Sequence, residues 1–351
     1  MHMADALISP AVGGTLWAVS GGLIAFCARK VKQDLRDNLV PMMGVLGAFI
    51  FAAQMINFSI PGTGSSGHLG GGLILAVLLG PYAAFLVIAS VLTVQAFFFM
   101  DGGLLALGCN IFNLGFFPAF VAYPLIYRAI AGAKHGTSRA WMAAIVAAVA
   151  GLQMGALSVV LETRASGIAE LPFVTFILMM LPIHLAIGVV EGLVTAAVVS
   201  FIARARPAAF QTAPAAGVSG GLRSVMTCLA VAAVIMGGSA SWLASTHPDG
   251  LEWSIARITG KAEVSGPEAG LHKDLAGLQK KTSFLPSYEF KAGEARSAPA
   301  GAVASKPESW PAVSVGTSVS GLVGGVTTLA LVCLAGLALK GRAVRRTHGS
   351  G

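Results

Sequence analysis

The sequence predicts an all-α polytopic membrane protein, with seven spans followed by two more that flank a small extracytoplasmic domain. Three observations predict it. First, 55% of the 351 residues are hydrophobic and only 11% are charged, under half the roughly 25% of a soluble domain. That is too little charge to dress a core of this size in water, and mean hydropathy is +0.78. Second, apolar runs approaching the roughly 20 residues of a membrane helix recur along the chain. They lack period-two alternation, which excludes a β-barrel. Third, the basic residues gather in every second loop.

The spans expected are Gly13–Ala28, Val40–Phe58, Gly71–Leu79, Tyr82–Met100, Leu104–Ile130, Trp141–Leu161, Pro172–Ala203, Leu222–Ala244 and Ser318–Leu339. The third is short. The seventh is long and holds Pro182, a kink that neighbouring helices can accommodate. Arg29, Lys30, Lys32 and Arg36 follow the first span. Arg128, Lys134 and Arg139 follow the fifth, and Arg204, Arg206 and Arg223 the seventh. Lys340, Arg342, Arg345 and Arg346 follow the ninth. If the spans alternate, these all face one side, and the short loops opposite hold only Arg164. The positive-inside rule then puts the N-terminus outside and the C-terminus in the cytoplasm. The net charge of +8 is sidedness, so a nucleic-acid role has no support. No basic residue precedes Arg29, so the first span is expected to be retained, not cleaved as a signal peptide.

Residues 245–317 interrupt the pattern. They carry eight basic and eight acidic residues and an Ala-Pro-rich stretch, Ser297–Pro311, and read as the extracytoplasmic domain with a flexible end. The four cysteines, Cys27, Cys109, Cys228 and Cys333, lie apart in apolar stretches and read as small core residues.

Chemistry begins at Met1-His2. The Met1 amine, the His2 amide nitrogen and His2 Nδ1 can chelate one ion in a plane, through a five- and a six-membered ring. Square-planar nitrogen coordination suits Ni(II) or Cu(II) and disfavours Zn(II). Taken alone, a histidine at position 2 is also compatible with a loose chain end. A fourth donor is available in Pro61–Gly72, a glycine- and serine-rich segment holding His68. It is expected on the same outer side, on a tight re-entrant path. His68 alone reads equally as a hydrogen-bonded core histidine; sharing a face with His2 favours the metal. Gln95, Asn110 and Asn113 are candidates to orient the ligating imidazoles from behind, or to join helices. Asp101-Gly102-Gly103 reads as a tight turn capped by Asp101. His184 and Glu191, seven residues apart on one helix face, read as a buried pair or an ion route. His135, His247, His272 and His348 sit in polar segments and are expected to be solvated.

The opening Met1-His2-Met3-Ala4-Asp5-Ala6-Leu7-Ile8-Ser9-Pro10 resembles the start of the substrate-binding (S) components of energy-coupling-factor transporters for nickel and cobalt, the NikM/CbiM family. Gly67-His68-Leu69, Gln95, Asp101-Gly102-Gly103, Asn110-Ile111-Phe112-Asn113 and the run from His184 through Glu191 are similar to it too. The resemblance covers residues 1–205. Pro248-Asp249-Gly250-Leu251-Glu252-Trp253 resembles the small NikN-like partner of the nickel branch, here residues 222–351, joined through a cytoplasmic linker at 206–221. The resemblance implies a metal held by Met1, His2 and His68. It implies Ni(II) as transported substrate, Co(II) as the alternative, and no permanent cofactor. It also implies a bacterial cytoplasmic (inner) membrane location, a transmembrane coupling (T) protein and two ATPase subunits. The chain carries no G-x4-G-K-[ST] phosphate loop, so it reads as a transporter subunit and not an enzyme. Gly14, Ala18 and Gly22, four residues apart, form a small face for docking the coupling protein or for internal packing.

Three rivals stand beside this reading. Gly64-Ser65-Ser66-Gly67 with His184 could form an intramembrane serine protease. An ion-coupled secondary transporter would carry a repeat of broken helices, which is not visible. A purely structural subunit would hold no metal.

Overall fold

The computed structural model describes residues 1–36, 38–132, 137–205, 220–262, 264–267, 269–291 and 310–347. Most of the expected linker, the stretch 297–309, and Lys134, His135, Arg206 and His348 lie outside these residues. All nine apolar segments are helical. Among the described residues six helices are long and apolar enough to cross a membrane. They are α1 (Pro10–Gln33), α4 (Pro81–Phe99), the run Leu107–Ala131, α7 (Ser138–Ser166), α8 (Phe173–Ala205) and α12 (Val315–Thr347). The other three, α2 (Leu39–Gln54), α3 (Gly72–Leu79) and α9 (Gly220–Gly238), are shorter. The chain is a multi-pass membrane protein.

Local chemistry sets the boundaries. Ser9 caps α1 by accepting from the Val12 N–H, and Pro10 opens its first turn. Thr137 caps α7 at its start, and Gly167 ends it in the left-handed conformation. The run after Leu107 begins as α5 (Leu107–Ile111), widens into π-helical turns over Phe112–Tyr127, and closes as α6 (Arg128–Ala131). Pro118 and Pro124 lie within the wide turns and remove two donors from the ladder. The glycine- and serine-rich segment, expected as a re-entrant loop, is a hairpin. Strand β1 (Phe58–Ile60) pairs antiparallel with β2 (Ser65–Gly67). Gly62 and Gly64, both at positive φ, turn the chain between them.

Helices α7 and α8 pack along each other, and α2 packs against α4, α9 and α12. Helices α9 and α12 meet at Gly237 and Gly321, where the backbones touch and a side chain has no room.

Two helices between α9 and α12, α10 (Gly250–Thr259) and α11 (Gly270–Thr282), cover the end of the bundle that carries the hairpin. The last carbonyls of α4 have no partners within the helix, and this segment supplies several. Gln279 donates to Ala96 O (2.9 Å), Thr282 to Phe97 O (2.9 Å), and the Phe284 N–H to Phe98 O (3.2 Å). His272, expected to be solvated, is buried there, its Nε2 2.9 Å from Ile8 O. Its polar neighbours in sequence line the opposite face of an amphipathic helix, which hides the buried face from a composition reading.

Candidate metal-binding site

The first eight residues enter the bundle and are anchored there by their backbone. Met3 is fully buried. Its N–H donates to Asn110 Oδ1 (2.8 Å), and its carbonyl accepts from Asn110 Nδ2 (3.2 Å) and the Gly103 N–H (2.9 Å). Asp5 accepts from the Ala106 N–H at 2.9 Å. The Asp101-Gly102-Gly103 turn needs its glycines: Gly102 has φ +81°, and a side chain on Gly103 would collide with Asp5.

This anchoring sets Met1 and His2 beside His68. The Met1 amine lies 3.3 Å from His68 Nε2. The His2 and His68 rings stack with centroids 5.0 Å apart. His2 Nδ1 is 2.7 Å from Asp101 Oδ1, and Nε2 is buried with no protein partner. Ligation through Nδ1 therefore requires the ring to leave Asp101. The hydroxyl of Tyr288, from the second unit, donates to the other Asp101 oxygen. Among the described residues no three His, Cys, Asp or Glu side chains converge at ligating distance; the Met1 amine belongs to the constellation.

Electrostatics suit two of the groups to cations. Burial first, then the positive charge at Met1, pushes the His68 imidazole down to about 3, so it stands neutral with a lone pair free. Burial would raise the Asp101 carboxyl, but His2 and the Tyr288 hydroxyl bond outweigh it and hold it at about 2.

Three candidate orienting residues touch backbone or other polar groups, not the imidazoles. Asn110 clamps Met3, as above. Gln95 donates to Gln54 Oε1 (2.8 Å), and Gln54 donates to Gly70 O (2.9 Å), two residues beyond His68. Asn113 donates to Glu162 at 2.8 Å. His184 and Glu191 take separate partners. Glu191 accepts from the Gly70 and Gly71 N–H groups (2.8 and 3.1 Å), holding the segment after His68. His184 Nδ1 pairs with Met180 O at 2.8 Å. Its ring borders a void of about 10 Å³ beside Met1, His68 and Asp249.

Sequence reasoning missed Asp249. It opens α10 in a capping box with Glu252, and its Oδ2 accepts from the Met1 amine at 2.8 Å. Burial would raise its carboxyl, but the charge at Met1 outweighs this and holds it well below the usual carboxylate range. Pro248–Trp253 entered the sequence reading only as a family resemblance, and nothing in it hinted at the distant amine. The turn is fixed on the hairpin: Ser66 donates its N–H to Pro248 O (2.8 Å) and its hydroxyl to His247 O (2.7 Å). Trp253 Nε1 donates to Thr63 O at 3.0 Å. A cleft of about 530 Å³ leads to His2 and His68 between Asp101, Asp249 and Glu252.

Gly14, Ala18 and Gly22 lie exposed on α1, and side chains on the two glycines would meet open space.

Comparison with known proteins found two family matches. Residues 2–209 match the family described as cobalt uptake substrate-specific transmembrane region, and residues 223–341 match the PDGLE domain. The fused nickel transport protein NikMN of Rhodobacter capsulatus is 31% identical over 82% of this chain and 88% of its own length. A putative fused nickel transport protein NikMN of Archaeoglobus fulgidus is 35% identical over 62% of this chain and 70% of its own. A crystal structure of a truncated transition metal transporter superposes with a TM-score of 0.52. It is 29% identical and covers 58% of this chain and 99% of its own.

Proposed function

From the premise that the chain belongs to the family of cobalt uptake substrate-specific transmembrane regions, with a PDGLE domain joined to its end, we propose that it is the substrate-binding membrane component of an ATP-driven energy-coupling-factor importer of Ni(II). The observation that carries the reading is the close-packed group formed by the Met1 amine, the stacked His2 and His68 rings, and the 3.3 Å approach of the amine to His68 Nε2. In the bound state the Met1 amine, the His2 amide nitrogen and Nδ1, and His68 Nε2 form a square plane around the ion. Binding releases the protons of the amine and the amide. A deprotonated amide nitrogen favours Ni(II); Cu(II) binds such a set more tightly still and is excluded by availability.

Nickel is chosen over cobalt because relatives that share the fused layout are named as nickel transport proteins. Co(II) uptake on the same architecture is the second reading, favoured by relatives named as cobalt transport proteins.

The site faces outward from a bacterial cytoplasmic membrane. Helix α1 supports this: the site precedes its first residue, and Lys30 and Lys32 lie in its last turn. Twenty-four helical residues separate the two ends by about 36 Å, and basic ends face the cytoplasm. The chain divides into the metal-binding unit 1–205, the linker 206–221 and the NikN-like unit 222–351. A transmembrane coupling protein docks on the small face of Gly14, Ala18 and Gly22, and two ATPase subunits supply the energy. The protease reading loses support because the Ser66 hydroxyl is committed to the His247 carbonyl.

The test is nickel uptake with one alanine inserted before Met1, with metal content by mass spectrometry for that variant and His2→Ala. Both are expected to lose the ion. Undiminished accumulation by the extended protein refutes the terminal site.

A further inference from the structure

We propose that Asp249, contributed by the second unit, is an oxygen donor to the transported ion. The inference rests on the reading of Met1 and His68 as ligands and extends the donor set to a residue 181 positions beyond His68.

The two oxygens of Asp249 have separate work. Oδ1 accepts from the Leu251 and Glu252 N–H groups at 2.8 and 2.9 Å and caps α10. A cap needs one acceptor, and serine or asparagine serves as well as aspartate. Oδ2 is surplus to the helix. It points to the Met1 amine at 2.8 Å and lies 3.8 Å from His68 Nε2.

These separations fit one ion. With 3.3 Å between the amine and Nε2, the three atoms form a triangle of sides 2.8, 3.3 and 3.8 Å. An ion held at about 2.0 Å by the amine and Nε2 comes within reach of Oδ2, as a donor outside the nitrogen plane, once Oδ2 closes on Nε2.

The placement is built rather than loose. The residue before Asp249 accepts from the Ser66 N–H, and Ser66 stands on the hairpin two residues before His68. Gly250 packs against Ile183, His184 and Ile187 of α8, where a side chain would press on them at 3.0–3.2 Å. Asp249 and His68 therefore move together. Chemistry agrees with geometry: a dication drawn into a buried pocket needs anionic partners. Asp101 keeps the Tyr288 hydroxyl on one oxygen and faces the His2 ring, whereas Asp249 brings a carboxylate directly to the amine.

The experiment loads the purified full-length protein with NiCl2 and records nickel X-ray absorption, magnetic susceptibility and affinity for wild type, Asp249→Asn, Asp249→Ser and His68→Ala. Both Asp249 variants keep a helix cap. Wild type is expected to show an oxygen donor and a paramagnetic ion, because an added carboxylate lifts Ni(II) out of the diamagnetic four-nitrogen square. Both Asp249 variants are expected to lose that oxygen and to bind more than about tenfold more weakly. A diamagnetic all-nitrogen centre in wild type overturns the proposal, whatever the variants do. So does unchanged affinity in the folded variants, which makes Asp249 a cap alone. Tighter binding by Asp249→Asn overturns it as well, because the carboxylate then competes with the ion for the amine. His68→Ala separates the two layers of the argument. Wild-type affinity in that variant sinks the site itself; loss there beside intact binding in the Asp249 variants sinks only Asp249.

Discussion

Replacing Asn110 with alanine tests whether the chelating end of the chain is held in place by a residue that never touches the ion. Asn110 is 2% exposed, and its side chain bonds both backbone groups of Met3. After Asn110→Ala the Met3 carbonyl keeps its bond from the Gly103 N–H, but the Met3 N–H is buried and unpaired. Such a donor costs about 1–3 kcal/mol. The first residues can escape that cost by peeling into the cleft, where water satisfies the N–H. Binding the ion then has to lay them back, and the cost moves from the fold to the affinity. A penalty of 1–3 kcal/mol weakens Ni(II) binding about 5- to 150-fold. Isothermal titration of NiCl2 into the purified protein reads the change directly. Asn113→Ala is the control. Its strong bond goes to Glu162, and it reaches the chain end through a weak 3.9 Å contact with Met3 Sδ and not through the backbone, so it is expected to lower the melting temperature and leave affinity within a few-fold of wild type. Wild-type affinity in Asn110→Ala, or equal losses in both variants, refutes the reasoning.

Two further outcomes are expected. Glu191→Gln keeps one acceptor where two N–H groups converge; the orphaned Gly70 or Gly71 donor costs about 1–3 kcal/mol, read as a fall of several degrees in the nickel-free melting temperature and as weaker nickel binding. Unchanged values of both show that the carboxylate does not hold the His68 segment. Ala18→Leu puts a bulky side chain on the exposed small face of α1, so it should abolish ATP-driven uptake in cells while leaving nickel binding to the purified chain intact; full uptake removes this face as the docking surface.

Much of the fold was legible because its determinants are local. Apolar run length and loop charge located all nine helical segments. The Ser9-Pro10 start of α1 is a cap written in adjacent residues. The hairpin was less legible because glycine and serine carry no period-two pattern, and its pairing comes from turn geometry at Gly62 and Gly64. The choice of Met1, His2 and His68 came from chelate chemistry, and the fold brings them together. Contacts across the chain could not be read. Nothing in the spacing of Asp101 and His2, or of Asp249 and Met1, reports that 99 and 248 positions collapse to hydrogen-bond distance. Asn110 was found for the wrong contact. A buried amide announces that it must be bonded, but whether to an imidazole or to the Met3 backbone is decided by tertiary packing. His272 was misjudged for the same reason.

A transporter's site has to hold an ion and then let it go, and the distribution of these groups bears on both. Met1 and His2 belong to a short anchored end, His68 directly follows the hairpin and Asp249 caps the start of α10; no two lie on one rigid helix. A site on a single rigid helix would need that helix to unwind before the ion could leave. Here, displacing only the first few residues separates Met1 and His2 from His68, at the cost of the Met3 and Asp5 bonds and without moving a membrane helix. The hairpin and the α10 turn are tied to each other through Ser66 and Trp253, so His68 and Asp249 form one wall and the chain end forms the other. Under the proposed function, capture closes the chain end against that wall. Release follows when a reorientation driven by the ATPase subunits draws the two apart.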